Sequence, residues 1–235
     1  MLNLTSGLRN GVVSLLLSFM TALLEICAFT PQAAIMALNA GAQRVELCAE
    51  PNLDGISPPE SWYHLIPENL HTKLAVMVRP RGGSFCMNEQ EILQMELEIR
   101  QLREQQRAAA VVFGILTPDL QIDMAACIRL LAAAGPMETV FHRAFDSIPN
   151  PHDALEQLIA LGFTRVLCGL PLPMLLELKR QAAGKITIMP GGGIRSVNIQ
   201  DYLHAGFTEI HSSARLTASP DPDEAELQRL INLCA

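Results

Sequence analysis

The chain has 235 residues, 49% of them hydrophobic, and a formal net charge of −7. That is enough apolar material for one large core, and a single α/β barrel of this length is an ordinary domain. The acidic balance and the lack of any basic stripe argue against nucleic acid as a partner. Six cysteines are scattered without a C-x-x-C pair or a zinc-finger spacing, so they read as reduced thiols of a cytoplasmic protein.

Residues 1–19 are expected to lie outside the core as an N-terminal extension. The apolar run from Gly11 to Met20, preceded by Arg9, resembles a secretory signal. It is short for a membrane span, which needs about 20 residues. No A-x-A site follows it, and a cut near Ala22 would fall on the first strand. Met20 stands directly before that strand and can serve as a start. An extra helix packed on the fold and a cleaved signal stay open as alternatives.

From residue 20 to 235 strands and helices alternate. Apolar runs predict strands at Ala22–Cys27, Arg44–Cys48, Lys73–Val78, Ala109–Phe113, Thr139–Phe141, Arg165–Cys168, Lys185–Met189 and Thr208–His211. Helices are predicted from Pro31 to a stop at Gly41, and over Glu89–Arg107 with Asn88 as N-cap. Others follow over Met124–Ala134 (capped by Asp123), His152–Leu161, Leu175–Ala183, Val197–Ala205 and Asp223–Leu233. The strands are near-continuously apolar, as strands covered on both faces should be. Eight such units predict one closed (β/α)8 barrel of the TIM type, with an open doubly wound sheet as the alternative.

In that barrel the chemistry sits at the carboxyl ends of the strands. Glu25 and Cys27 share one face of the first strand, and Glu46 and Cys48 share one face of the second. The two strands form a βαβ unit, so they are parallel and about 4.8 Å apart if adjacent. The other strand ends deliver Arg79, Arg81 and Cys86, then His142 and Asp146, then Gly192 and Gly193, then His211 and Ser212. Bland readings compete with functional ones. Glu46 and Arg79 can be a buried ion pair, and His142 can orient its loop through Asp146. His211 can be a satisfied core histidine, and the cysteines can be small core residues.

Two functional sets are expected. Thiolates of Cys27 and Cys48, with Cys86 as a further ligand, suit a soft ion such as Cu(I). Alternatively, Glu25, Glu46 and His142 form a general acid/base set. Arg79, Arg81, Asp146 and His211 would then bind a small anionic substrate, and Gly192, Gly193 and Ser212 would hold its phosphate.

Four segments together resemble the CutC family: Leu24-Glu-Ile-Cys27, Gly41-Ala-Gln-Arg-Val-Glu-Leu-Cys48, Arg79-Pro-Arg-Gly-Gly83 with Phe85-Cys86, and Phe141-His-Arg-Ala-Phe-Asp146. His211-Ser-Ser-Ala214 and the order of the motifs agree, and the resemblance spans roughly residues 20–215. It implies a cytoplasmic TIM barrel associated with copper homeostasis, with Cu(I) falling on Cys27 and Cys48. It also implies a homo-oligomer, a dimer being favoured, and no established reaction. The chain departs from the family pattern at residues 1–19 and at Pro190-Gly-Gly-Gly193. A third departure is the shortened segment Leu167-Cys-Gly-Leu-Pro-Leu-Pro173, which puts any small-molecule activity of the family in doubt here. A scaffold without a ligand is a third option.

Overall fold

The fold was obtained as a computed structural model that describes residues 21–235; the expectation for residues 1–19 falls outside the described residues. Eight parallel strands form one sheet: β1 (Leu23–Ala28), β2 (Arg44–Leu47), β3 (Leu74–Met77), β4 (Ala110–Phe113), β5 (Glu138–Phe141), β6 (Arg165–Cys168), β7 (Thr187–Pro190) and β8 (Glu209–Ser212). The hydrogen-bonded order runs β7-β6-β5-β4-β3-β2-β1-β8, so β1 pairs with both β2 and β8 and the sheet rolls up. β7 and β8 meet at the seam without a ladder. Pro190 at the end of β7 has no N–H to donate there. Gly191 follows because a Cβ at that point would stand 2.5 Å from the Leu167 side chain. The result is the expected (β/α)8 barrel, nearly closed.

Seven α-helices cover the outside among the described residues: α1 (Pro31–Ala40), α2 (Glu89–Glu104), α3 (Met124–Ala134), α4 (Pro151–Leu161), α5 (Leu172–Ala182), α6 (Ile199–His204) and α7 (Glu224–Cys234). Their starts obey local chemistry. Asn88 and Glu91 form a capping box on α2, each side chain accepting from the other's backbone N–H. Asp123 accepts from the Ala126 N–H at the head of α3. α5 begins three residues earlier than the pattern predicts, because Pro173 fits the first turn of a helix. α2 and α6 are shorter than predicted. Between β2 and β3 the chain makes three short 3-10 helices instead of an α-helix. Pro51, Pro58, Pro59 and Pro67 interrupt any longer run there.

The main core lies between the strands and the helices, with Leu24, Ile26, Val45, Phe113, Phe141 and Leu230 at its centre. A second, smaller cluster fills the barrel interior: Cys27, Cys48, Ala75, Met77, Ala110, Val112, Val140, Leu167 and Met189. The inward side chains of β3 to β7 in this cluster are apolar. Those of β1, β2 and β8 are largely charged, which sets the site to one side of the interior.

Candidate metal centre at the barrel mouth

Register decides which groups meet. Cys27 on β1 stands opposite Glu46 on β2, and Glu25 stands opposite Arg44 on one side and His211 of β8 on the other. His211 Nδ1 lies 2.8 Å from Glu25 Oε1, and its Nε2 lies 3.7 Å from Glu46 Oε2. One donor atom each from Cys27, Glu46 and His211 lies within 4.8 Å of the others. The Cys48 sulfur is 3.9 Å from that of Cys27. All five groups are buried.

Their proton states follow from this packing. Burial pushes the Glu25 carboxyl up, but the hydrogen bond to His211 and the charge of Arg44 outweigh it and hold it at about 2. The Cys48 thiol beside it stabilises the Cys27 thiolate most. Burial opposes that and the His211 imidazole assists, leaving Cys27 at about 6. Burial would keep His211 neutral, yet Cys27 and Glu25 raise it well above the usual histidine range. Burial, then the neighbouring Cys27 charge, drives Glu46 well above the carboxylate range. The same two influences, with Cys27 as hydrogen-bond partner, raise Cys48. The packing thus favours a thiolate on Cys27 and a charged His211 beside ionised Glu25, and it favours the protonated forms of Glu46 and Cys48. Among the described residues Glu46 Oε1 has no hydrogen-bond partner.

Above the cluster opens a cavity of about 470 Å³ lined by Cys27, Glu46, Met77, Arg79, His142, Asp146, Gly192, Gly193, His211 and Ser212, among others. The competing bland readings fail at two points. Arg79 makes no ion pair with Glu46; its guanidinium donates to the carbonyls of Leu53, Gly55 and Gly83 and lies over the Phe85 ring. His142 does not work through Asp146, which instead binds Arg143 and the Gly169 N–H. The His142 Nδ1 accepts from the Ala144 N–H, and burial, then the charge of Arg79, lowers its pKa to about 3.

Other expected residues fall elsewhere. Glu25 does not line the cavity; it sits behind His211. Arg81 is drawn to Glu91 at 2.6 Å and to the Cys86 carbonyl, and neither Arg81 nor Cys86 lines the cavity. Ser212 donates to the Ile194 carbonyl and accepts from the Ala214 N–H.

A layer of charge that the motif spacing does not predict lies below the cluster. Arg44 pairs with Glu25 at 2.5 Å and with Glu209, and Arg165 pairs with Glu209 at 2.9 Å and with Glu138. The signal was the alternation Arg44-Val-Glu46 and Glu209-Ile-His211, which points both charges of each strand into the barrel.

A profile of the CutC family matches residues 22–216. The chain belongs to the CutC family. The human copper homeostasis protein cutC homolog is 40% identical over 203 residues, covering 83% of this chain and 74% of the relative. The family protein CutC of Citrobacter koseri is 40% identical over 200 residues, covering 82% and 80%. The crystal structure of the CutC protein of Streptococcus agalactiae superimposes with a TM-score of 0.76 at 34% identity, covering 83% of this chain and all of that one. Among the described residues no helix is long and apolar enough to cross a membrane.

Proposed function

We propose that this CutC chain is a copper homeostasis protein that holds Cu(I) at the barrel mouth, through the sulfurs of Cys27 and Cys48 and the Nε2 of His211. The observation that carries this is a convergence on the Cys27 sulfur: the Cys48 sulfur lies 3.9 Å from it, and donor atoms of His211 and Glu46 lie within 4.8 Å of it. Thiolates select soft Cu(I) over harder divalent ions. The Glu25–His211 hydrogen bond has the form that orients a metal-binding histidine, one ring nitrogen on a carboxylate and the other free for the ion. Glu46 is a hard oxygen donor. Burial and the neighbouring Cys27 charge push it toward its neutral form, so it is left out of the ligand set; the protons that binding releases come from Cys48 and His211, since ligands must deprotonate to bind.

The name of the human relative supports the copper reading. A reducing, cytoplasmic setting is supported by six free cysteines, two of them adjacent. Self-association is supported by exposed apolar side chains on neighbouring helices, Leu93 and Leu97 of α2 and Ile128 of α3.

The test is an anaerobic Cu(I) titration of reduced protein against a competing chelator, with Zn(II) as the comparison ion. Tight binding of about one Cu(I) per chain, lost in Cys27→Ser/Cys48→Ser, is expected. Affinity unchanged by the substitutions, or a preference for zinc, would overturn the reading.

A further inference from the structure

Above the sulfurs, the cavity is unusually rich in positive charge. Guanidinium groups of Arg79, Arg143, Arg195 and Arg215 line it, against the carboxylates of Asp54 and Asp146 and a protonated Glu46. The chain as a whole carries a net charge of −7, so this polarity is local. Among the described residues only Arg143 of the four has a carboxylate partner, Asp146 at 2.8 Å.

The other three are held in place without being neutralised. Arg195 donates to the carbonyls of Ile194 and Arg215 at 2.7 and 3.0 Å, and reaches the hydroxyls of Ser212 and Ser213 at 3.5 and 3.4 Å. Arg215 donates to the carbonyls of Ala218 and Ser219 and lies over Phe29. Arg79 is only 3% exposed, and its Nε has no partner among the described residues. A buried cation without a counter-charge is costly, so its environment is incomplete.

The backbone beneath these groups is kept open. Gly192 has φ of +80°, and a Cβ on it would stand 3.3 Å from the Arg143 guanidinium carbon. Gly193 also has positive φ, and a Cβ there would meet only open space. Any other residue at Gly192 would be strained, and the Arg143 guanidinium would have to give by a few tenths of an ångström.

We propose that the mouth of the barrel binds an oxyanion of the phosphate class, carried by a small molecule that occupies the cavity above Cys27. Arg195, Arg215 and the hydroxyl of Ser213 form its cradle, Arg143 covers it across Gly192, and Arg79 supplies positive charge from the β3 side. Guanidinium groups suit this role because their planar forks match two oxygens of a phosphate at once. A cavity of about 470 Å³ admits a small phosphorylated molecule rather than a polymer. This site stands apart from the copper reading, because none of its four arginines belongs to the sulfur cluster.

The test is calorimetric titration of the full chain at low ionic strength. The probes are inorganic phosphate, glycerol 3-phosphate and glycerol. Saturable binding of the phosphate probes and none of glycerol is expected. Arg195→Gln should weaken it about tenfold or more, as loss of a bidentate partner does. Arg143→Gln, on an exposed side chain, gives the same reading if the Arg195 variant fails to fold. Tighter glycerol 3-phosphate assigns the site to a phosphorylated small molecule, and tighter phosphate assigns it to the free ion. Cys27→Ser should leave phosphate binding unchanged, and Arg195→Gln should leave Cu(I) binding unchanged, which separates the two sites. No saturable binding, or binding indifferent to both arginine substitutions, would overturn the proposal.

Discussion

The two ends of the barrel interior use the same residue types to opposite effect. At the lower end Arg44 and Arg165 are interleaved with Glu25, Glu209 and Glu138, so each cation there touches two carboxylates. At the mouth, among the described residues, Arg79, Arg195 and Arg215 have no carboxylate partner, Glu46 keeps an unpartnered oxygen, and Cys27 and His211 are shifted toward thiolate and imidazolium. The lower network balances its cations with carboxylates, leaving only the Arg165 Nη1 without a partner among the described residues, and serves the fold. The mouth lacks the partners that buried polar groups require, as a site does before its ligand arrives. Glu25 joins the two ends, because it accepts from Arg44 below and is bonded to His211 above.

The comparison is broken most forcefully by Arg44→Met. Removing the cation leaves buried Glu25 and half-buried Glu209 without it, and a loss of about 3–5 kcal/mol in urea denaturation is expected. A loss as small as that of an ordinary surface change would mean that the lower network is not structural.

An acid titration of stability comes next in size. The Glu25 carboxyl is held at about 2 in the fold against 4.5 for the free group. Its contribution is therefore fully present above pH 4.5 and is lost as pH falls from 4.5 to 2. At 1.36 kcal/mol per unit it amounts to about 3 kcal/mol. Denaturation curves across that window should be steeper for the wild type than for Glu25→Gln; equal slopes would contradict the assignment.

The smallest effect on stability is expected for Glu46→Gln at the mouth. Burial pushes the Glu46 carboxyl toward its neutral form and one of its oxygens has no partner among the described residues, so a neutral amide should cost less than about 1 kcal/mol at pH 7. A loss matching that of Arg44→Met would erase the difference between the two ends.

Much of this was legible in the chain itself. The eight strands, and the meeting of Cys27, Cys48 and Glu46, follow from the βαβ unit, whose period-two alternation fixes which face each side chain takes. His211 was legible as a strand-end residue, but its contact with Glu25 requires ring closure between β1 and β8, a long-range pairing that no local pattern carries. Arg44 and Glu209 were hidden because a charged residue at the start of an apolar strand looks like its solvent-exposed edge. Arg81 misled for another reason: a long side chain goes to the nearest carboxylate, and the capping residue Glu91 lies within its reach.

The central claim, that sulfur at the barrel mouth holds Cu(I), is tested most directly by copper-edge X-ray absorption of the Cu(I)-loaded, reduced protein. The structure predicts sulfur scatterers from Cys27 and Cys48 together with a nitrogen from His211, and loss of the sulfur contribution in Cys27→Ser/Cys48→Ser. A shell of nitrogen and oxygen alone, or a spectrum that the double substitution leaves unchanged, would contradict it.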